Sequence, residues 1–368
     1  MSEHDIPRVE MHHPAEVAEL IPYLIGFTPD ESLVVIVSRN NRVQVTARAD
    51  LDAMQAPGAT EDLLNRIWDR FPDADAFLVA YTEDHPAGWE TLHRADAHLS
   101  GHADRQTMLI DGDTWELADG ETGTINPDGP ISTQAASYGL KLRPNRRDLQ
   151  AAFASAPDSD QLIARTGAVL DTLPRPRDTE AILTRTADLI GNNLPGQPSN
   201  LTQPSRARIP LDDAIALAVL TQHPSAQSLA VLSITRDNAP EHLALWRDVV
   251  NQVPALGAEA PLYLAGMAAW ISGDGASAVV ALDRSLALNP DRRPTGQVRL
   301  LGQLIDQVVP PTAWEHIRSD VLANADPRVR AALHTKTAEP EVWETITPTP
   351  IRRPEAQDVA PPAPGIAI

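Results

Sequence analysis

Five residues near the amino terminus have types and spacing that can do chemistry together. Asp30, Glu31 and Ser32 follow a glycine turn at Gly26, and Arg48 and Asp50 stand at the end of the second strand after it. A serine hydroxyl can cap or orient, an arginine fork can hold an anion, and an aspartate can pair with that arginine. Asp30, Glu31, Ser32, Arg48 and Asp50 are therefore the candidate ligand-binding set. The competing expectation is structural, with Asp30 and Ser32 satisfying turn backbone groups and Arg48 and Asp50 forming a solvated strand end.

Other reactive groupings read as surface. His85, His93, His98 and His102 lie among Asp84, Asp96 and Asp104, and His98 and His102 have the spacing of one helix face. Gly101 is expected to end that helix before His102, and no Glu follows His98 as a zinc protease would require. Asp111-Gly112-Asp113, Asp119-Gly120-Glu121 and Asp128-Gly129 are turns without the spacing of a calcium loop. The chain has no cysteine, which removes thiolate nucleophiles and cysteine-based metal sites. No nucleophile elbow, phosphate loop or dinucleotide fingerprint occurs. The expectation is no metal, no cofactor and no assigned catalytic residue.

The elements that must position the five residues follow from periodicity. Val17, Leu20, Ile21 and Leu24 predict a helix from Pro14 to Leu24 that stops at Gly26. The β-branched run Leu33 to Val37 and the alternating Val43, Val45 and Ala47 predict a hairpin turning at Asn40-Asn41. A helix through Leu63 to Trp68, a strand at Ala76 to Tyr81, a helix at Trp89 to Leu99 and a strand at Thr107 to Ile110 continue the α/β alternation. Thr114 to Leu117 can return as a hairpin partner. This gives an α/β N-terminal domain over residues 1–118, with a mixed sheet and helices on at least one face.

Residues 119–145 are rich in Gly, Asp, Asn and Pro and read as a loop, linker or lid. Residues 146–336 are helical in period, starting from Asn145 as N-cap. Within them Leu262 to Pro290 has one tetratricopeptide-like helical hairpin, in which Gly266 and Ala278 allow close approach. Residues 337–368 carry repeated prolines and are expected to be a disordered tail in which only Val342, Trp343 and Ile346 can dock.

The 368 residues carry 50 acidic against 30 basic side chains, a formal charge of -20. A surface of that sign repels phosphate backbones and anionic lipid, which argues against nucleic acid and membrane partners. The one basic grouping, Lys141, Arg143, Arg146 and Arg147, reads as a solvated helix start. With no signal-like or bilayer-spanning segment, a cytoplasmic location is expected.

Ile21-Pro22-Tyr23-Leu24-Ile25-Gly26-Phe27-Thr28-Pro29-Asp30-Glu31-Ser32-Leu33-Val34-Val35, the later Val45 to Leu51, Arg146-Arg147-Asp148-Leu149 and Ala268 to Ala276 together resemble the actinobacterial DUF4192 domain family. The resemblance implies a bacterial, cytoplasmic protein and supplies no activity. Two functions follow as expectations. One is a non-enzymatic interaction or regulatory protein that binds a protein partner through its helical half. The other is a small-molecule enzyme or sensor with its site between sheet and helical half. The oligomeric state is left open.

Overall fold

The computed structural model describes residues 13–40, 42–101, 104–137, 142–143, 145–194, 208–288 and 295–334. Helix α1, Pro14–Ile25, starts on a reciprocal cap in which His13 Nδ1 accepts from the Ala15 amide and Glu16 accepts from the His13 amide. It ends where Gly26 takes φ 83°, a conformation open to a residue without Cβ. Strands β1, Ser32–Arg39, and β2, Arg42–Asp50, follow as a hairpin whose Asn40 sits at φ 54°. Next come α2, Leu51–Met54, α3, Ala59–Trp68, and β3, Asp75–Tyr81. Helix α4, His85–His98, crosses over to β4, Arg105–Asp111, and β5, Thr114–Leu117, and β6, Thr122–Thr124, complete the sheet.

The strand order is β2-β1-β3-β4-β5-β6, with β3 and β4 parallel and every other pairing antiparallel. This is the expected mixed sheet, covered on both faces. Leu33, Val35 and Val37 share a core with Leu64 and Ile67 of α3, Leu92 of α4 and Leu99 just after it. Val34, Ile36, Val79 and Ile110 share the opposite core with Val17 and Ile21 of α1, and that core runs without a break into the helical half. Burial on both faces is why β1 reads as an unbroken apolar run.

The stretch expected to be a loop or lid is partly packed. Strand β6 pairs with β5, and helix α5, Pro130–Ser137, buries Ile131 and Ala135 and packs on α1. Pro130 looks like a breaker, yet it fills the first helical position, where a missing N–H is harmless.

The helical half begins with α6, Arg146–Ala151, where Asn145 Oδ1 accepts from the Asp148 amide at 3.1 Å, the cap that the sequence predicts. It continues through α7, Asp160–Leu170, α8, Thr179–Asn193, α9, Leu211–Leu220, α10, Pro224–Leu232, and α11, Ala239–Val250. Then follow α12, Glu259–Ser272, α13, Gly275–Leu288, α14, Gly296–Asp306, α15, Trp314–Asn324, and α16, Pro327–His334. Helix α12 is buried from Ala260 to Ile271. A Cβ at Gly266 would meet Leu301 Cδ2 of α14 at 2.5 Å but Ala281 Cβ and the Ala278 carbonyl of α13 only at 3.4 and 3.6 Å, so the tight approach at this glycine is to α14. The proline-rich tail from Thr337 lies outside the described residues. No helix among the described residues is long and apolar enough to cross a membrane.

Candidate functional site

Strand pairing brings the candidate residues to one edge of the sheet. Ser32 stands opposite Asp50 on β2 and Tyr81 on β3, and Tyr81 is level with Ile110 on β4. This is the carboxyl end of the parallel pair, where open α/β sheets hold ligands.

Four of the five candidates meet there. Ser32 Oγ donates to the Asp30 carbonyl at 2.5 Å and accepts from Arg48 Nε at 2.8 Å. Arg48 Nη2 reaches the same carbonyl at 3.3 Å, and Nη1 pairs with Asp50. The Arg48 side chain is only 16% exposed, so these bonds occupy a largely desolvated fork. Asp30 contributes its backbone oxygen to the network. Glu31 leaves the set: it takes φ 39° and its carboxylate accepts from Thr82 Oγ1 at 2.9 Å, beyond β3.

A second polar group lies beside it. Thr82 Oγ1 also accepts from the Asp84 amide at 3.0 Å, and Asp84 Oδ1 caps α4 by accepting from the Ala87 amide at 3.1 Å. Gly88 lets this helix start lie close to the sheet, since a Cβ there would stand 2.8 Å from both Thr82 Cγ2 and Leu109 Cδ1. His85 Nε2 lies 3.0 Å from Asp111 Oδ2. The Thr82 hydroxyl is committed to Glu31 and to the Asp84 amide before α4. The other histidines go elsewhere: His93 stacks on Trp89, and His98 Nε2 meets Asn65 Oδ1 at 2.8 Å. His102 lies outside the described residues. The Asp84 cap was readable from Asp-His-Pro at a helix start, whereas His85 and Asp111 come from separate βα units and no spacing joins them.

The basic grouping behaves differently from a solvated helix start. Arg146 Nη1 lies 3.8 Å from Asp50 and Nη2 3.1 Å from Asp283 of α13, so one side chain joins sheet edge to helical half. Burial raises the Asp283 carboxyl pKa above the ordinary range, and Arg146 opposes that rise. Arg143 is held by its backbone, donating to the Gly26 carbonyl at 3.0 Å and accepting from the Thr28 amide at 3.3 Å. Of the three described arginines only Arg147 is exposed. The reason is tertiary: both partners of Arg146 lie far from it in sequence.

The helical half also carries an open cleft of about 500 Å³ between α10, α15 and α16. Pro224, Leu232, Val321, Ala325 and Val329 line it, and the other half of its lining is polar, Asp320 and Asp326 included. A small core of Leu183, Leu229, Leu232 and Val329 lies beneath it.

The model of a domain of unknown function, DUF4192, matches residues 14–312. The chain belongs to the DUF4192 family. No curated protein and no solved structure matches it. The DUF4192 match takes in the whole sheet, the Arg48 network and the junction at Arg146, and it stops short of α15 and α16. Two walls of the cleft therefore come from helices beyond the matched stretch. These helices are firmly attached to the DUF4192 part: the buried Trp314 donates from Nε1 to the Ile234 carbonyl at 2.8 Å and packs edge-on against Trp270.

Proposed function

We propose that this DUF4192 protein is a non-enzymatic, cytoplasmic interaction or regulatory protein whose helical half receives a segment of a protein partner. The observation that carries this reading is the cleft between α10, α15 and α16, whose accessible lining is mostly apolar by area and which is open to solvent. Enzymes and metabolite sensors enclose most of a small ligand, whereas an open trough suits one face of an extended or helical peptide. The polar groups at the sheet edge support the same reading, because they are used in holding the loop before β1 and the start of α4. The tetratricopeptide-like hairpin α12–α13 contributes a rigid base, since its first helix is buried from Ala260 to Ile271.

Charge supports one class of occupant. Asp320 is exposed and the whole chain carries a charge of -20, so the fitting partner is an apolar segment flanked by basic residues. A photocrosslinking residue at Val321, whose side chain is 44% exposed, tests this in cells of the source. The expected result is an adduct to such a segment, with the purified partner binding the Val321→Glu variant at least about tenfold more weakly. Adducts only within this chain, or unchanged affinity in the variant, would overturn the reading.

A further inference from the structure

We propose that the α10, α15 and α16 cleft is covered in the free protein by the chain's own segment Pro348 to Pro354, which a partner must displace. The inference rests on the reading of that cleft as a peptide trough. Residues 335–368 lie outside the described residues and follow α16 directly in the chain. Helix α16 supplies one wall of the cleft and ends at His334, so the segment sets out from the wall itself. The stretch from His334 to Pro348 can span up to roughly 45 Å, against roughly 12 Å for the whole of α16, so it is long enough to turn back over that helix. Both α15 and α16 start beyond the DUF4192 match, which makes two walls and their cover one continuous stretch of chain.

Side-chain chemistry selects Pro348 to Pro354 within that stretch. Ile351 offers a branched apolar side chain, and Arg352 and Arg353 follow it at once. Apart from Lys336 they are the only basic residues after His334. Pro348, Pro350 and Pro354 fix φ, so laying the segment into a trough costs little conformational freedom. The cleft matches each feature: Leu232, Val321 and Val329 suit Ile351, the hydroxyls of Ser225 and Ser228 can donate to backbone carbonyls, and Asp320 can pair with an arginine. Asp326, also in the lining, is already held by Arg328 at 2.9 Å, whereas Asp320 has the exposed His316 at 3.6 Å. The nearby Arg318 and Arg330 are engaged, donating to the Leu232 and Ala323 carbonyls, each at 2.7 Å. Val342, Trp343 and Ile346, the apolar residues that the sequence singles out for docking, stand among Glu341 and Glu344 and would bring like charge to Asp320. The tether holds the segment near the cleft at an effective concentration on the order of millimolar, so a weak contact is enough to cover it.

The test places a photocrosslinking residue at Val321 of the purified full chain and maps the adduct by mass spectrometry. The expected result is an adduct within one molecule to residues 348–354, reduced about fivefold or more when Arg352→Glu and Arg353→Glu are combined. Trp343→Ser should leave that adduct in place. An adduct to a second copy, an adduct to residues 335–347 instead, or none to the tail would overturn the proposal. So would an adduct that survives the combined arginine substitutions or is lost with Trp343→Ser. The partner reading fails separately. In cells of the source, adducts confined to residues 348–354 would sink that reading and support this one, whereas partner adducts in cells, with none to the tail in the purified chain, would sink this one alone.

Discussion

The sheet edge and the layer around α11 treat buried polarity in opposite ways. At the edge, Ser32, Arg48, Asp50, Thr82 and Asp84 bond to one another or to nearby backbone, while the Tyr81 hydroxyl on the strand beside Ser32 is buried without a partner. Around α11, His242 is wholly buried with neither ring nitrogen bonded, and Trp246 Nε1 and Glu241 Oε2 also lack partners. A network that closes on itself fixes geometry and leaves little for a ligand to gain. Unpaired groups store a cost that a ligand, a proton or a conformational change can release.

Three substitutions sharpen that contrast, in descending order of effect. Trp314→Ala removes a buried indole together with its bond to Ile234 and its packing on Trp270. A loss of about 3–5 kcal/mol in urea unfolding is expected. A loss below about 1 kcal/mol would mean that α15 and α16 are loosely attached to the DUF4192 part.

His242 is the acid-sensitive point of the helical layer. Burial lowers its pKa from 6.5 to about 3, and the Ser233 backbone, near it but outside good hydrogen-bond geometry, offsets only a little of this. The unfolded chain thus binds a proton that the folded chain refuses. The contribution is fully present above pH about 6.5 and is lost as pH falls toward about 3. Urea titrations should show the parent losing a few kcal/mol across that window, with His242→Leu losing clearly less. Equal slopes in the two proteins would place the acid sensitivity elsewhere.

Arg48→Met should cost the least, about 1–2 kcal/mol, because Ser32 keeps its bond to the Asp30 carbonyl and Asp50 has water within reach. Asp50 is already 52% exposed. Arg48→Lys should recover little, since one ammonium cannot serve Ser32, Asp50 and the Asp30 carbonyl together. Full recovery by lysine would mean that charge alone holds the edge.

The elements that were legible are those whose signal is local. The run from Leu33 to Val37, the glycine stop at Gly26, the Asn40 turn and the Asn145 cap each depend on a few adjacent residues, and each is present. In residues 119–145 the strand β6 is three residues long and borrows its order from β5, and α5 shows only Ile131 and Ala135 as a stripe. Composition hides both. At the site, the meeting of Ser32, Arg48 and Asp50 follows from one hairpin register. Arg146 with Asp283 joins segments more than a hundred residues apart, which no periodicity encodes.

The order of strands along the chain has a consequence for synthesis. All six strands lie within the first 124 residues, so the sheet can form while the helical half is still being made. Its β3–β4 pairing needs only α4 as crossover, and α3 and α4 are present to close one face. The other face shares a continuous core with helices that emerge later. At about 5–20 residues per second, the remaining helices take on the order of tens of seconds to appear. During that interval part of the layer around Val34, Ile36 and Val79 is open to water, and the nascent chain depends on its own charge or on a chaperone to stay apart from its neighbours.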